Sequence, residues 1–395
     1  MLINGKLYSN ISETDLQSLV EDQVAEGKNI EYKSALPNNS DRDKKEFLAD
    51  ISSFSNSSGG YIFFGINEKN GLPVDFKGLR DIDTDAEILR FENLLRDSIS
   101  PRLPGISIRP ISIKDKGPVL AMHIPKSWAS PHMVTYAGVS KFFSRNSAGK
   151  YQLDVFELRS AFNSTNIEGE QLRKFRIERV GKVVSNETPV PLESKPKLIF
   201  HLIPVSSFAA NIKYDLREFQ LSPNREILAP ISADYGSNLR FNFDGILTYE
   251  QYDRPKPAIS YLQLFRNGIV ESVNTTLFEP AQIPPLIPSV IFEQDIIKAF
   301  ERYVNIQNTL ETEPPYFLLL TLVGVKGYNL PTRARTIGHY NNLIDRNDLF
   351  VQEILVDDLS LPAARVLRPA FDSIWNAAAQ PQSPHYDTEG NWNPR

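Results

Sequence analysis

The hydrophobic pattern opens with a helix. Ser12 stands as N-cap with Asp15 at the capping-box position, Leu16, Leu19, Val20 and Val24 follow at helical spacing, and Gly27 ends the run. The period then drops to two. Asn29–Lys33 alternates polar and apolar, a strand that turns Ile30 and Tyr32 to one face and Glu31 and Lys33 to the other. After a turn at Pro37–Ser40, Phe47, Leu48, Ile51 and Phe54 mark the inner face of a helix over Asp41–Phe54. That helix runs into Asn56-Ser-Ser-Gly-Gly60 and then the wholly apolar Tyr61–Phe64, which predicts a central strand covered on both faces. The paired glycine permits positive φ and a tight reversal. The strand stops at Gly65, and Glu68 comes just past its end, a usual place for chemistry. The same reading gives a helix near Asp85–Ile99, strands Ser107–Lys114 and Val119–Ile124 paired across Lys-Asp-Lys-Gly, a strand Val139–Arg145 and a helix Asp154–Phe162. One α/β or α+β domain closes near residue 163.

Residues 164–185 read as a basic linker helix, with helical spacing over Gln171–Val184 and Arg173, Lys174, Arg176, Arg179 and Lys182 along it. Breakers crowd Asn186–Pro196, which places a domain boundary there. From 190 to 380 a second α+β domain is expected. It has strands near Leu198–Pro204, Leu239–Phe243, Ser260–Phe265 and Tyr316–Val325, a hairpin turn at Arg266–Gly268, and helices over Ser289–Leu310 and Ala363–Ala378. This half is expected to serve partner recognition or self-association rather than catalysis. The polar, proline-bearing end, 381–395, is expected to be disordered.

Length and composition add constraints. A chain of 395 residues exceeds one ordinary core, and 41% apolar content supports globular folding in both halves. With no cysteine, a disulfide framework, a zinc–thiolate site and a thiol nucleophile are excluded. The longest apolar runs, such as Phe317–Val323, are too short to span a bilayer, so a soluble cytoplasmic protein is expected. Residues 1–163 hold 20 basic and 21 acidic side chains, 164–183 hold 5 and 3, and 184–395 hold 18 and 24. The acidic excess therefore sits in the second half.

Glu31 and Lys33 share a strand face, and Glu-x-Lys suits a nuclease half-site. The carboxylate can hold Mg²⁺ or Mn²⁺, and the ammonium can stabilise a phosphate. Glu26, at the end of the first helix, and Glu68 could converge with Glu31, which would imply a bound cation. Solvated Glu/Lys pairs are common on strands, so spacing alone favours the plainer reading. Lys28, Arg42, Lys44 and Lys45 cluster around this region, and with Arg145, Arg173, Lys174 and Arg176 they are the candidate phosphate contacts. Phe142, Phe143 and Tyr151 could stack on bases, although strand aromatics more often serve a core. No Gly-Lys pair is followed by Ser or Thr in a phosphate-binding loop pattern, and Gly59-Gly60 precedes a strand rather than opening a helix. Histidines 123, 132, 201, 339 and 385 show no metal-ligand spacing.

Glu26-Gly-Lys-Asn-Ile-Glu31-Tyr-Lys33, followed by the stretch from Phe54 to Glu68, resembles the AlbA-like domain of the Schlafen family. Members read Glu-x4-Glu-Phe-Lys, then Ala-Phe-Ala-Asn-Thr-x-Gly-Gly, an apolar strand and Gly-Val-x-Asp. Here Tyr32 replaces Phe and Glu68 stands at the aspartate. Val139–Arg145 and the following Asn-Ser resemble the closing Tyr-x-Arg-x-Gly-Ser element, so the likeness covers about residues 12–162. It implies an α+β fold with an N-terminal AlbA-like α/β domain and nucleic acid as partner, RNA more than DNA. In vertebrate members a three-carboxylate, metal-dependent site cleaves tRNA and rRNA, which would fall here on Glu26, Glu31 and Glu68 with Lys33 beside them. Glu for Asp lengthens the third arm by a methylene. A two-lobed clamp of the vertebrate kind would need a homodimer. Bacterial members were once filed as divergent AAA-type ATPases or transcriptional regulators. Three readings follow: a metal-dependent endoribonuclease acting on structured RNA such as tRNA, a non-catalytic DNA/RNA-binding regulatory module, and, more weakly, a nucleotide (ATP)-binding protein.

Overall fold

The computed structural model describes residues 8, 11–103, 105–127, 129–208, 212–221, 223–234, 238–252, 255–312, 314–331, 343–357, 359 and 361–394, with backbone alone over 163–168. The chain divides into two compact units, Met1–Glu170 and Gln171–Arg395.

Unit one runs α1 (Glu13–Glu21), β1 (Ile30–Lys33), α2 (Asp41–Ser55), β2 (Gly60–Phe64), β3 (Ile66–Lys69), β4 (Leu72–Phe76), α3 (Thr84–Ser98), β5 (Ile99–Ser100), β6 (Ser107–Ile111), β7 (Val119–Ile124), β8 (Met133–Val134), β9 (Lys141–Asn146) and β10 (Gly149–Gln152), and enters α4 (Val155–Val184). One sheet has the order β1-β2-β7-β6 and a second the order β10-β9-β8-β5, while β3 and β4 form a separate ribbon. β1 is parallel to β2, joined by α2 as a crossover, with Glu31 opposite Ile62 and Lys33 opposite Phe64. The alternation expected in β1 decides the packing. Ile30 and Tyr32 join Tyr61, Phe63 and α1 in one core, whereas Ile62 and Phe64 meet Phe47, Ile51 and Phe54 of α2 in another. Glu31 and Lys33 therefore lie on the α2 side.

The Asn-x-x-Gly-Gly turn has a physical reason for each residue. Asn56 Nδ2 donates to the carbonyls of His132 and Phe143 at 2.9 and 2.8 Å, and Asn56 Oδ1 accepts from the His132 N–H at 2.7 Å. The end of α2 is thus pinned to the second sheet. Gly59 has φ +68°, and a Cβ there would sit 2.5 Å from the Lys126 nitrogen; at Gly60 it would sit 2.3 Å from the Asn29 carbonyl oxygen. Only glycine fits either place. The pair is closed in by backbone and leaves no room for a phosphate, which removes the sequence feature nearest to a nucleotide cradle.

Unit two carries β11 (Lys197–Pro204), β12 (Asn238–Phe241), β13 (Gly245–Glu250), β14 (Ser260–Phe265), β15 (Val270–Asn274), α5 (Ser289–Thr309), β16 (Tyr316–Val323), β17 (Asp348–Phe350), β18 (Ile354–Val356) and α6 (Ala363–Ala377). Its antiparallel sheet has the order β12-β13-β14-β15-β11-β16-β17, with β18 also on β16. α5 and α6 cover one face in a large core. Val180 and Val183 of α4 cover the other face with Ile199, Tyr261 and Val273.

Three expectations are corrected here. The helices over Asp154–Phe162 and Gln171–Val184 are one helix, α4, and the change of unit falls at Glu170/Gln171 rather than at Asn186–Pro196. The reason is that the later half of α4 buries an apolar stripe on unit two. Arg176 is correspondingly a buried side chain, donating to Thr321 Oγ1 at 3.1 Å and to the Leu320 carbonyl at 2.6 Å, and not a phosphate contact. The end of the chain is held in place rather than disordered. Buried Glu293 accepts from Trp375 Nε1, Ser383 Oγ and Trp392 Nε1 at 2.8, 2.7 and 2.8 Å.

Arg179 meets Glu271 through two hydrogen bonds of 2.8 and 2.7 Å, and Tyr261 Oη and His201 Nε2 complete the carboxylate's shell. Burial alone would raise the Glu271 carboxyl, but the Arg179 and His201 hydrogen bonds outweigh it and hold it at about 2. A depressed folded value means stabilisation that is present above the ordinary carboxylate range and lost as pH falls toward 2. Glu271→Gln strands a buried guanidinium, so it should cost about 3–5 kcal/mol at neutral pH and flatten the acid limb of unit two's stability curve. Urea unfolding from pH 7 down to 3 checks both.

Candidate functional site

Glu31 is the centre of the site. Its two oxygens are taken by two cations: Lys33 Nζ donates to Oε1 at 2.6 Å, and the Arg145 guanidinium donates to Oε2. Arg145 arrives on β9, is 4% exposed, and lies over the Phe54 ring with its Cζ 3.8 Å from the centroid. That stacking offsets the cost of its buried Nε and Nη1, which have no hydrogen-bond partner among the described residues. Lys33 also reaches Asp50 of α2 at 3.7 Å, and Lys150 of β10 donates to Asp50 Oδ1 at 2.7 Å and to Glu46. Arg145, Glu31, Lys33, Asp50, Lys150 and Glu46 form one chain of alternating charge, three cations against three carboxylates.

This chain sets the protonation preferences. Burial pushes Glu31 up, but the hydrogen bonds from Lys33 and Arg145 outweigh it and hold the carboxyl below its ordinary range. At Asp50 burial wins over the pull of Lys150 and raises the carboxyl. Lys33 loses from burial but gains more from Asp50 and Glu31, so its ammonium is favoured.

Glu26 and Glu68 meet at the β3–β4 turn. The Gly71 N–H donates to Glu68 Oε2 at 2.8 Å, and the Gly71 carbonyl accepts from the Glu26 N–H at 2.7 Å. The Tyr32 N–H donates to Glu26 Oε1 at 2.8 Å, which brings that carboxylate beside β1. Burial, and then the charges of Glu31 and Glu68, raise the Glu26 carboxyl against the Tyr32 hydrogen bond. The three glutamates thus gather in one region, but each has an oxygen committed to the fold. Mg²⁺ and Mn²⁺ need several uncommitted hard oxygens around one point. Among the described residues no group of three or more His, Asp or Glu side chains could hold a metal ion. The expected cation site on Glu26, Glu31 and Glu68 does not fit this arrangement.

The other candidates separate. Lys28 and Arg42 are exposed, Lys44 and Lys45 are half-buried, and among the described residues these four enter no ion pair. Arg145 is corrected from a phosphate contact to a buried partner of Glu31. Arg173 and Lys174 are exposed on the part of α4 that belongs to unit two, apart from this site's unit. Phe143 packs against the α2 core. His123, His132, His201 and His385 are buried, and His339 lies outside the described residues. Sequence reasoning missed Asp50, Lys150 and Glu46. Asp50 was detectable as an acid on the helix face that carries Phe47, Ile51 and Phe54, since a buried polar residue is the informative kind. Nothing in the sequence points to Lys150 as its partner.

Residues 26–154 match the family model described as Schlafen, AlbA_2. This part of the chain is a Schlafen AlbA_2 domain. It lies within unit one and contains every residue of the charged chain around Glu31. No curated protein matches the chain. Among solved structures, the DIP2311 protein from Corynebacterium diphtheriae is 16% identical over 35% of this chain and 26% of its own, with a TM-score of 0.24. The N-terminal domain of a RecG-related protein from Nitrosomonas europaea is 21% identical over 37% of this chain and 94% of its own, with a TM-score of 0.28. The alignment thus spans about a quarter of the Corynebacterium protein.

Glu31→Ala in the AlbA_2 domain should leave Arg145 buried without a carboxylate and lower the domain's stability by about 3 kcal/mol. Glu31→Ala with Arg145→Ala should cost less than the sum of the two single changes. Thermal denaturation of the four proteins gives the coupling, and strict additivity would show that the pair does not interact.

Proposed function

We propose that the AlbA_2 domain is an RNA-binding module that holds its ligand by phosphate contacts and does not cut it in the arrangement described above. The carrying observation is the division of charge. Among the described residues Lys28, Arg42, Lys44 and Lys45 have no carboxylate partner, while Glu31, Asp50 and Glu46 are paired with Lys33, Arg145 and Lys150. A balanced acidic cluster repels a polyanion far less than bare carboxylates would, and cations without an ion pair among the described residues give sequence-independent affinity. The Schlafen match supports nucleic acid as the ligand, and RNA is placed ahead of DNA on the same likeness. A clamp on a folded RNA would take two copies of this domain, hence a homodimer.

The second reading is a metal-dependent endoribonuclease acting on structured RNA such as tRNA. The raised Glu26 carboxyl, beside Glu31 and Glu68, favours it, because three acids in one region are what a cation would relieve. Against it stand the Lys33 and Arg145 hydrogen bonds, which would have to release Glu31 first.

One experiment separates the two. Binding of a labelled RNA hairpin should be salt-dependent, and Lys44→Ala with Lys45→Ala should weaken it and reduce the slope of log K against log salt by about 1.5, two phosphate contacts' worth. The RNA should remain intact with Mg²⁺, Mn²⁺ or EDTA. Metal-dependent cleavage that disappears in Glu31→Ala would establish the nuclease instead. Loss of neither affinity nor salt slope in the double variant would sink the binding surface.

A further inference from the structure

Beside Lys33 the AlbA_2 domain has a cleft that the phosphate contacts do not use. Its volume is about 270 Å³, and it lies between α2 and the chain that follows β1, from Lys33 to Pro37. α2 lines it with Asp43, Glu46, Phe47 and Asp50, which are spaced i, i+3, i+4 and i+7 and so share one helix face. The floor is Phe47, Ile62 and Phe64, all nearly inaccessible, with Phe47 backed by Phe91 at 4.7 Å between ring centroids. Asp43 and Glu46 stand nearer the mouth, half-buried and exposed respectively. The Lys33 ammonium, on a side chain 35% exposed, adjoins that wall, 3.7 Å from Asp50.

We propose that this cleft receives one unstacked nucleobase, guanine above the others, from a single-stranded stretch of the bound RNA; the proposal rests on the RNA-binding reading of the domain. The volume falls below the roughly 300–1,000 Å³ of sites for drug-sized ligands and suits a single flat ring system. The apolar floor takes the ring face, as proteins do when they read splayed-out bases. On the acid wall Glu46 and Asp50 are paired with Lys150, and Asp43, which accepts from the Asn38 N–H at 3.2 Å, is the carboxylate left to accept from the ring edge. Guanine offers N1–H and the N2 amino group side by side, which a carboxylate accepts together. Adenine and cytosine offer one amino group beside an acceptor nitrogen. Uracil turns two carbonyls and a single N–H to the same wall and is disfavoured. Lys33, beside that wall, supplies a donor for the guanine O6, which flanks N1–H on the same edge. Arg42 and Lys45, on the same two turns of α2 as Asp43 and Glu46, are placed for the flanking phosphates. These cations also disfavour the main competitor for an acid-rimmed cleft, a basic peptide side chain.

The test uses the full chain and short labelled RNAs: an oligouridylate, the same oligomer with one central guanosine, and the same with inosine, which lacks the N2 amino group. The guanosine oligomer should bind about 10-fold tighter than oligouridylate, the scale of one good bidentate base contact, and inosine should lose most of that gain. Asp43→Asn and, separately, Ala35→Trp, an exposed position at the cleft, should each abolish the guanosine oligomer's advantage over oligouridylate measured in the same variant. Equal, salt-sensitive binding of all three oligomers by the unaltered protein would overturn the base site while leaving the binding module standing. Binding of none would overturn both. A basic peptide that displaces the guanosine oligomer's advantage without lowering oligouridylate binding would assign the cleft to protein rather than base.

Discussion

The buried contact between Glu31 and Arg145 is the constraint on which the AlbA_2 domain turns. Glu31 belongs to β1, in the sheet that also holds β2, and Arg145 belongs to β9, in the other sheet. The two strands are brought within hydrogen-bond reach across α2, whose Phe54 lies under the guanidinium. A charge this deep is costly alone, and breaking one side of such a pair costs several kcal/mol because the other side is left stranded. The pair therefore fixes the position of β9 relative to β1, and Asn56 fixes the same sheet at the end of α2. These two contacts set the geometry in which Lys33, Asp50, Lys150 and Glu46 fall into line.

The same constraint explains why a carboxylate cluster can look catalytic in the sequence and act structurally in the fold. Each acid has an assigned donor. Glu31 has Lys33 and Arg145, Glu26 has the Tyr32 N–H, and Glu68 has the Gly71 N–H. Gly71 has φ +75°, and the residue before it, Asn70, has φ +55°, so the turn that joins Glu68 to Glu26 depends on left-handed backbone. The tension left in the group is at Glu26, whose carboxyl is raised by burial and by its two acidic neighbours.

How much of this was legible varies with the kind of signal. Local signals read well. The alternation through β1 separates Ile30 and Tyr32 from Glu31 and Lys33, and the apolar run after Gly60 marks a central strand, because period and burial are written in adjacent residues. The β3–β4 ribbon was missed: its strands are short and polar, and its turn depends on Asn70–Gly71 rather than on a hydrophobic pattern. Long-range pairing was not legible. Arg145 and Lys150 carry the same charge as Lys44 and Lys45, and only the fold shows that the first two are committed to Glu31 and Asp50. The basic stretch of α4 misled for a related reason. Arg176 and Arg179 sit at the spacing of the apolar Leu172, Val180 and Val183, and they are buried with that stripe; Arg173 and Lys174 are off it and stay exposed. The tail misled because its prolines and polar residues suggested disorder, while Trp392 and Ser383 had a buried acceptor, Glu293, far away in sequence.

On the proposed reading, the helix α2 serves both fold and ligand. Its first two turns carry Arg42, Lys44 and Lys45 outward and Asp43 and Glu46 toward the cleft; its last two turns are buried from Phe47 to Ser55. Glu46 and Asp50 stand where the two regimes meet, and Lys150 bridges them. A ligand that draws Glu46 or Asp50 away from Lys150 therefore acts on the same charged chain that ends at Glu31 and Arg145. Glu46 is linked to the buried Arg145 guanidinium through five consecutive ion pairs, by way of Lys150, Asp50, Lys33 and Glu31.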